Sequence, residues 1–451
     1  MPSANKVTDI RTDRSYIAGH WIVPENGDEF CLNEPATGAA AGRAVLCDPA
    51  DLDAAVSAAQ DVLAGGWGSD GLAARREYLR KLIRTLHEEQ DSFARCIAFE
   101  VGAPIDFSLK QQFGTAIGHL QATLAAAEEV DLDITPNPAM PEHRERFEPA
   151  GIAGLITPWN WPLNQIALKF GAALIAGCPM ILKPSEYTPR TSVLFAQCVD
   201  RIGLPEGVFS MVLGNGRIGG AMASHKGIRV ISFTGSTAVG RQIATAAAQD
   251  FKRVILELGG KSPNILFEDC DVDTAVRQGL AHCFRNTGQS CNAASLMLVQ
   301  ASIYDRVVDL AAEVARETPL GLPQQGGAHL GPVVSKAQFD RVQSLIGSAL
   351  DQGARLVAGG QGRAEGFGAG YYVRPTVFAD VTLDMHIAQQ EVFGPGQAIA
   401  RFTTEAEATE MANSQAPGLS AYLQPGDPRS ALRLARTLLL LQTPCDSTTS
   451  L

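Results

Sequence analysis

From Gly151 onward the chain alternates between short apolar runs and longer amphipathic ones. "GIAGLIT", "PMILKPS", "FSMVLG", "RVISFTG" and "RVILELGG" are apolar runs of strand length that end in small or turn-forming residues. "NQIALKFGAALIAG", "TSVLFAQCVDRIG" and "TAVGRQIATAAAQ" lie among them and place apolar residues at helical spacing. Strands alternating with helices predict a parallel, doubly wound sheet. Ligands of such sheets sit beyond the carboxyl ends of the strands, where the pieces "TPWN", "KPSE", "LGNG", "FTGS" and "ELGG" fall. A second alternation starts near Ser262 with "SPNILFED" and continues through "DVDTAVRQGLAHCFRN", "SLMLVQ", "YDRVVDLAAEVARE", "FDRVQSLIGSALDQG" and "ARLVAGG". It predicts a second α/β domain, with the boundary at about residues 258 to 262.

Ahead of these alternations the pattern is different. The segment to about Phe30 reads as strand and turn. "DPADLDAAVSAAQDVL" predicts a helix with Asp48 or Asp51 as N-cap, and "LAARREYLRKLIRTLHEEQDSFARCIAFEVG" one or two more, stopping at Gly102. "DITPNPAMPEHRERFEPAG" carries prolines and charges without periodicity and predicts an extended arm.

Composition narrows the function. A chain of 451 residues predicts two or three domains. Its net charge of −11, without a basic run, argues against nucleic-acid binding. Nine cysteines are scattered from Cys31 to Cys445 with no C-x-x-C pair, which argues against a disulfide framework or a metal site and for a reducing compartment. The N-terminus has no apolar core of a secretory signal. The longest apolar stretch, Phe170 to Leu182, contains Pro179 and is too short to span a bilayer. The expectation is a cytoplasmic protein without a membrane partner.

Several motifs carry candidate chemistry. "GNGRIG" matches G-x-G-x-x-G, but no acid follows about twenty residues later, so a turn before a helix is the better account. In "SFTGSTAVG" a strand ending at Phe233 leads through Thr234, Gly235 and Ser236 into a helix. That suits a pyrophosphate, or simple N-capping by Ser236 or Thr237. "ILKPSE" supplies Lys183 and Glu186, a pair for ribose hydroxyls or a solvated surface ion pair. "ITPWNWP" holds Asn160 between tryptophans and prolines, a rigid amide suited to an oxyanion, or a turn asparagine. "ILELGGKSPN" puts Glu257 after an apolar strand, where burial would raise its pKa and suit a general base, or where it pairs with a basic residue. "RNTGQSCNAASLMLV" carries Cys291, a small core residue or a nucleophile. His282 and His225 stand in no motif, which makes a Cys–His hydrolase the weaker alternative.

Taken together, "PWNWPL", "KPSE", "FTGSTAVG", "ELGGKSPNI", "NTGQSC", "YVRPTVF" and "EVFGPG", in this order and spacing, resemble the aldehyde dehydrogenase superfamily, from about Tyr16 to about Arg436. The resemblance implies an α/β fold of two doubly wound domains, cofactor-binding (1–130 and 149–257) and catalytic (258–436), with an oligomerisation arm at 131–148. It implies that Cys291 is the nucleophile, Glu257 the general base and Asn160 an oxyanion donor beside the Cys291 backbone N–H, with Lys169 also at the site. Lys183 and Glu186 fall on adenosine-ribose contacts, Gly235 and Ser236 on the pyrophosphate turn, and Glu391 and Phe393 on the nicotinamide ribose and ring. Ile156, Thr157, Trp159, Ser185, Gly216, Phe233, Thr234 and Leu258 complete the implied cofactor contacts. Trp161, Gln165 and Leu168 fall on the aldehyde channel. The implied activity is oxidation of an aldehyde to the carboxylic acid. Glu186 favours NAD over NADP, because a carboxylate repels a 2′-phosphate, while Lys183 leaves NADP possible. The implied assembly is a homodimer or homotetramer.

The chain departs from the family at Leu296, where an arginine is usual, at Gly396 for a valine and at Pro417 for an aromatic or histidine. Residues 437–451, "TLLLLQTPCDSTTSL" from Thr437, replace the family's return strand and terminal oligomerisation strand. That departure predicts impaired oligomerisation, and its alternative reading is a catalytically impaired cofactor-binding relative.

Overall fold

The structure, a computed structural model, describes residues 7–69, 71–414, 418–424 and 426–439. Pro417 and the greater part of the atypical tail lie outside the described residues. The described chain forms two compact units. The first holds the residues up to Asn33, Ala40–Val101 and Ile105–Glu257. The second holds Glu34–Ala39, Gly102–Pro104 and the residues from Leu258 on.

The first unit is built on a seven-stranded sheet in the order Arg253–Leu258, Ile228–Gly235, Ile152–Ile156, Met180–Lys183, Phe209–Met211, Ser15–Ile17, His20–Ile22. The pairings from Ile228–Gly235 through Phe209–Met211 are parallel, and the two N-terminal strands add an antiparallel edge. All five residues of Ile152–Ile156 are buried, as a parallel strand covered on both faces requires. The register aligns the carboxyl ends: Ile156 lies opposite both Lys183 and Phe233. Thr157, Lys183 and Thr234 therefore leave the sheet at one edge.

Helix ends follow the sequence signals. Asp48 is the N-cap of Pro49–Ala64, with Asp51 reaching back in a capping box, so both candidate aspartates take part. Gly102 ends the helical pair Leu72–Glu88 and Gln90–Val101 at φ +84, a conformation that favours glycine. The helix Pro189–Ile202 is capped from a distance. The buried Glu100 carboxylate accepts from the backbone N–H of Arg190 (2.6 Å) and Thr191 (3.0 Å) and from the Thr191 hydroxyl (2.8 Å). The arm contains no helix and folds back through a short antiparallel pair, Asp133–Ile134 with Glu145–Arg146.

The second unit has a six-stranded sheet in the order Arg355–Ala358, Thr376–Ala379, Gly396–Phe402, Leu296–Gln300, Pro263–Leu266, Tyr422–Gln424. Every pairing is parallel except that of the Arg355–Ala358 edge strand. Leu296 and Leu298 face a core shared with the helix Lys336–Asp351, while Met297 and Val299 face one shared with Val272–Phe284 and Tyr304–Glu317. The strand is thus apolar on both faces. Leu296 is fully buried in this hydrocarbon environment, so the departure at this position is accommodated as ordinary core.

Candidate functional site

The first unit presents its candidates at the carboxyl edge of its sheet. After Ile152–Ile156 the chain turns through Thr157–Trp161 into the helix Pro162–Ile175, with proline in the first turn, where its missing N–H costs nothing. Asn160 is buried, and its carbonyl accepts a hydrogen bond from Gln112 Nε2 at 3.2 Å. Gln112 lies on a π-helical turn, Ser108–Phe113, a rare geometry that recurs at functional sites. Sequence reasoning missed this brace, because nothing in a helical stretch some fifty residues upstream marks one glutamine. Trp159 is half-buried. Trp161, also half-buried, meets Phe107 edge-on, with ring centroids 5.5 Å apart.

One helical turn on from Gln165, Lys169 is buried and donates to Ser232 Oγ at 3.0 Å. Burial pushes its pKa down to about 8, opposed by the charge of Glu257. Glu257 itself corrects an expectation. It is half-buried, not buried, because Arg253–Leu258 stands at the edge of the sheet, where Ile255 is also 53 % exposed.

Lys183 and Glu186 do not form a solvated surface pair. Lys183 is buried, Glu186 half-buried, and they approach to 3.7 Å. Burial pulls the lysine pKa down and Glu186 opposes the shift. Ser185 is buried, and its hydroxyl accepts from the Tyr187 N–H. The Ser236 hydroxyl caps the helix Thr237–Ala248 by accepting from Val239 N, so the capping reading holds for that side chain. A Cβ on Gly235 would lie 2.5 Å from the Phe233 ring, so this turn needs glycine. "GNGRIG" is a capped helix start: Asn215 accepts from Arg217 N, and the space over Gly216 is open. The buried hydroxyls of Thr157 and Thr234 have no hydrogen-bond partner among the described residues. Orphaned hydroxyls and a lysine–carboxylate pair along one sheet edge fit a polyhydroxylated nucleotide.

In the second unit, Cys291 is half-buried in a turn between the helix Val272–Phe284 and the strand Leu296–Gln300. The turn is braced throughout. Asn286 and Thr287 take positive φ. Asn286 Nδ2 donates to Gln289 O, and Gln289 Nε2 to Asn286 O. Gln289 Oε1 accepts from Val334 N at 2.8 Å, and the Thr287 hydroxyl donates to Gly331 O. Tyr422 OH donates to Asn292 O at 3.1 Å. Gly288 has φ +73, and a Cβ there would fall 2.0 Å from Gly394 O, which brings the cysteine turn against "EVFGPG".

Glu391 lies in that second segment. A Cβ on Gly259 would be 2.4 Å from its carboxylate, so the glycine of "ELGG" is what lets Glu391 approach. Leu258, beside it, is half-buried. Glu391 Oε1 is buried and has no hydrogen-bond partner among the described residues. Burial raises the Glu391 pKa to about 7 against the opposing charges of Arg341 and Lys261. Lys261 is fully buried, donates to Gln390 O, and is pushed down to about 8. Arg341 donates to the Glu391 and Val392 carbonyls. Phe393 is half-buried at φ +52, held by Gln338 Nε2 on its carbonyl. A raised carboxyl pKa stabilises the fold below the ordinary value of 4.5, and this contribution is lost as pH rises through about 7. Urea midpoints of Glu391→Gln and wild type should therefore diverge in favour of the variant between those values and run parallel above. Parallel curves throughout would refute the assignment.

The His282 ring packs at a tilt against Tyr422 (centroids 4.4 Å apart) near Arg285, and His225 is engaged by Asp53 and the Gly227 N–H. Among the described residues no cluster of His, Cys, Asp or Glu is placed to hold a metal ion, and no helix is long and apolar enough to cross a membrane.

The sequence profile of the aldehyde dehydrogenase family matches residues 21–442. The chain belongs to this family. It is 40 % identical over 425 residues to 3-succinoylsemialdehyde-pyridine dehydrogenase of a Pseudomonas species, covering 94 % of this chain and 88 % of that one. An aldehyde dehydrogenase structure from Bartonella henselae superposes with a TM-score of 0.94 at 40 % identity, covering 97 % and 91 % of the two chains. A cysteine-to-alanine variant of aldehyde dehydrogenase C from Pseudomonas syringae, solved with NAD+ and octanal, gives 0.94 at 38 % identity, covering 98 % and 90 %. The aldehyde dehydrogenase fold and its two-sheet α/β architecture are therefore those of this chain.

Proposed function

We propose that this protein oxidises an aldehyde to the carboxylic acid with NAD+, using Cys291 as nucleophile. The observation that carries the reading is the cysteine turn: a half-buried cysteine in a loop fixed by side-chain amides, a threonine and a close-packed glycine. The Cys291 thiolate adds to the aldehyde carbon, and the resulting oxyanion is met by the Asn160 amide and the Cys291 N–H. Gln112 holds the Asn160 backbone in place for this task. NAD+, when bound, takes up the hydride that leaves the substrate carbon. The product on Cys291 is a thioester. Glu257 takes a proton from water, whose oxygen adds to the thioester carbon, and the acid departs as the thiolate is regenerated.

Glu186 and Lys183 would hold the adenosine ribose, the turn at Thr234–Ser236 the pyrophosphate, and Glu391 with Phe393 the nicotinamide side. The crystalline complex of the Pseudomonas syringae relative with NAD+ supports this choice of cofactor. The first unit is then the cofactor-binding domain, the second the catalytic one, and the arm at 131–148 a subunit contact in a homo-oligomer. Purified protein mixed with aldehydes and NAD+ should accumulate reduced cofactor, faster than with NADP+. Folded protein that reduces neither cofactor with any aldehyde overturns the reading.

A further inference from the structure

The helix Pro162–Ile175 is almost wholly buried, yet one stripe of it is not. Through its first three turns Trp161, Gln165 and Leu168 are half-buried, and every residue between them is buried. Positions i, i+4 and i+7 share one face, so this partly exposed stripe runs along the helix from the residue that follows Asn160. Two of its members are apolar, and the Trp161 ring is steadied edge-on by Phe107. The member between them is an amide whose Oε1 is buried and has no hydrogen-bond partner among the described residues. Its neighbour Asn164 Oδ1 is in the same state. A desolvated acceptor left unpaired is costly, and that cost is offset when a ligand brings the missing group.

Resting on the proposed activity, we propose that Gln165 is a specificity-determining residue that hydrogen-bonds a hydroxyl on the aldehyde, and that the substrate class is aromatic aldehydes carrying a ring hydroxyl. The indole of Trp161, one turn away, offers a flat apolar surface to the ring. A hydroxyl satisfies the amide whichever of its two ends faces the substrate, since it both donates and accepts. Sites that hydrogen-bond a substrate hydroxyl reject the analogue lacking it far more strongly than apolar pockets discriminate by size.

The test compares 3- and 4-hydroxybenzaldehyde with benzaldehyde and the matching methoxybenzaldehydes, by kcat/KM and by calorimetric binding. Wild type should favour one hydroxylated isomer over its two analogues by at least about tenfold. Gln165→Met should reduce that ratio to about unity, and Gln165→Glu, which keeps an acceptor, should retain a preference for the hydroxyl over the methoxy group. Circular dichroism establishes that the variants fold. Equal kcat/KM for all probes in wild type, or a preference that survives Gln165→Met, overturns the proposal while leaving aldehyde oxidation standing. Should no aldehyde be oxidised, the activity itself fails, and calorimetry still decides the binding preference.

Discussion

Cys291→Ala is expected to lower NAD-dependent aldehyde oxidation by at least about a thousandfold, because alanine removes the nucleophile of the covalent step. The buried thiols among the described residues are poor substitutes. Burial pushes Cys47, Cys198 and Cys283 up to about 12 and Cys270 to about 11, and it raises Cys96 and Cys178 as well. A thiol is nucleophilic as its thiolate, so the burial that disfavours ionisation makes these six weaker nucleophiles at neutral pH. Cys31 is exposed on the strand Asp28–Asn33, and Cys31→Ala serves as the control that keeps its activity. The loss at Cys291 should not be one of folding. The side chain is half-buried, and its turn is held by hydrogen bonds of Asn286, Thr287 and Gln289 that alanine at 291 leaves in place. Initial rates of cofactor reduction, with thermal unfolding alongside, check both halves of the statement. Activity within tenfold of wild type would remove Cys291 from the mechanism.

The parallel sheets were legible because their strands are apolar on both faces, and the punctuation between strand and helix is chemical: glycine, proline and capping side chains. The capping box of Asp48 and Asp51 and the stop at Gly102 follow from local rules alone. The candidate residues of "KPSE" and "FTGS" were legible for the same reason, being polar groups at the carboxyl ends of apolar strands.

What stayed hidden depends on contacts between distant segments. Gln112 matters because its π-helical turn delivers an amide to the Asn160 carbonyl, and Gly259 because Glu391, far along the chain, lies against it. Lys261 and Arg341 set the charge around Glu391 from two separate elements. Glu257 failed in the opposite sense. An apolar run before a carboxylate suggested burial, but a strand's place in the sheet order is not local information, and this strand stands at the edge.

That place changes what Glu257 is suited for, and Glu257→Gln tests it. A base that must activate water needs contact with water, and a half-buried carboxylate at a strand end has it. Lys169 supplies the balancing charge: it is held by Ser232, and its protonated form is favoured by Glu257 against the pull of burial. Glutamine keeps the size and the strand but cannot accept the proton of the attacking water. The first turnover needs only the thiol, the oxyanion donors and the cofactor, so the variant should still release about one equivalent of reduced cofactor per chain. Steady-state turnover should then fall about 10²–10⁴-fold, the usual contribution of general acid–base catalysis. The acyl group should remain on Cys291, visible as added mass on the intact protein, and hydroxylamine should discharge it, because that nucleophile attacks thioesters without a base. A steady state equal to wild type would show that water attacks unaided. Loss of the first turnover as well would place Glu257 before the thioester, as the group that ionises the thiol.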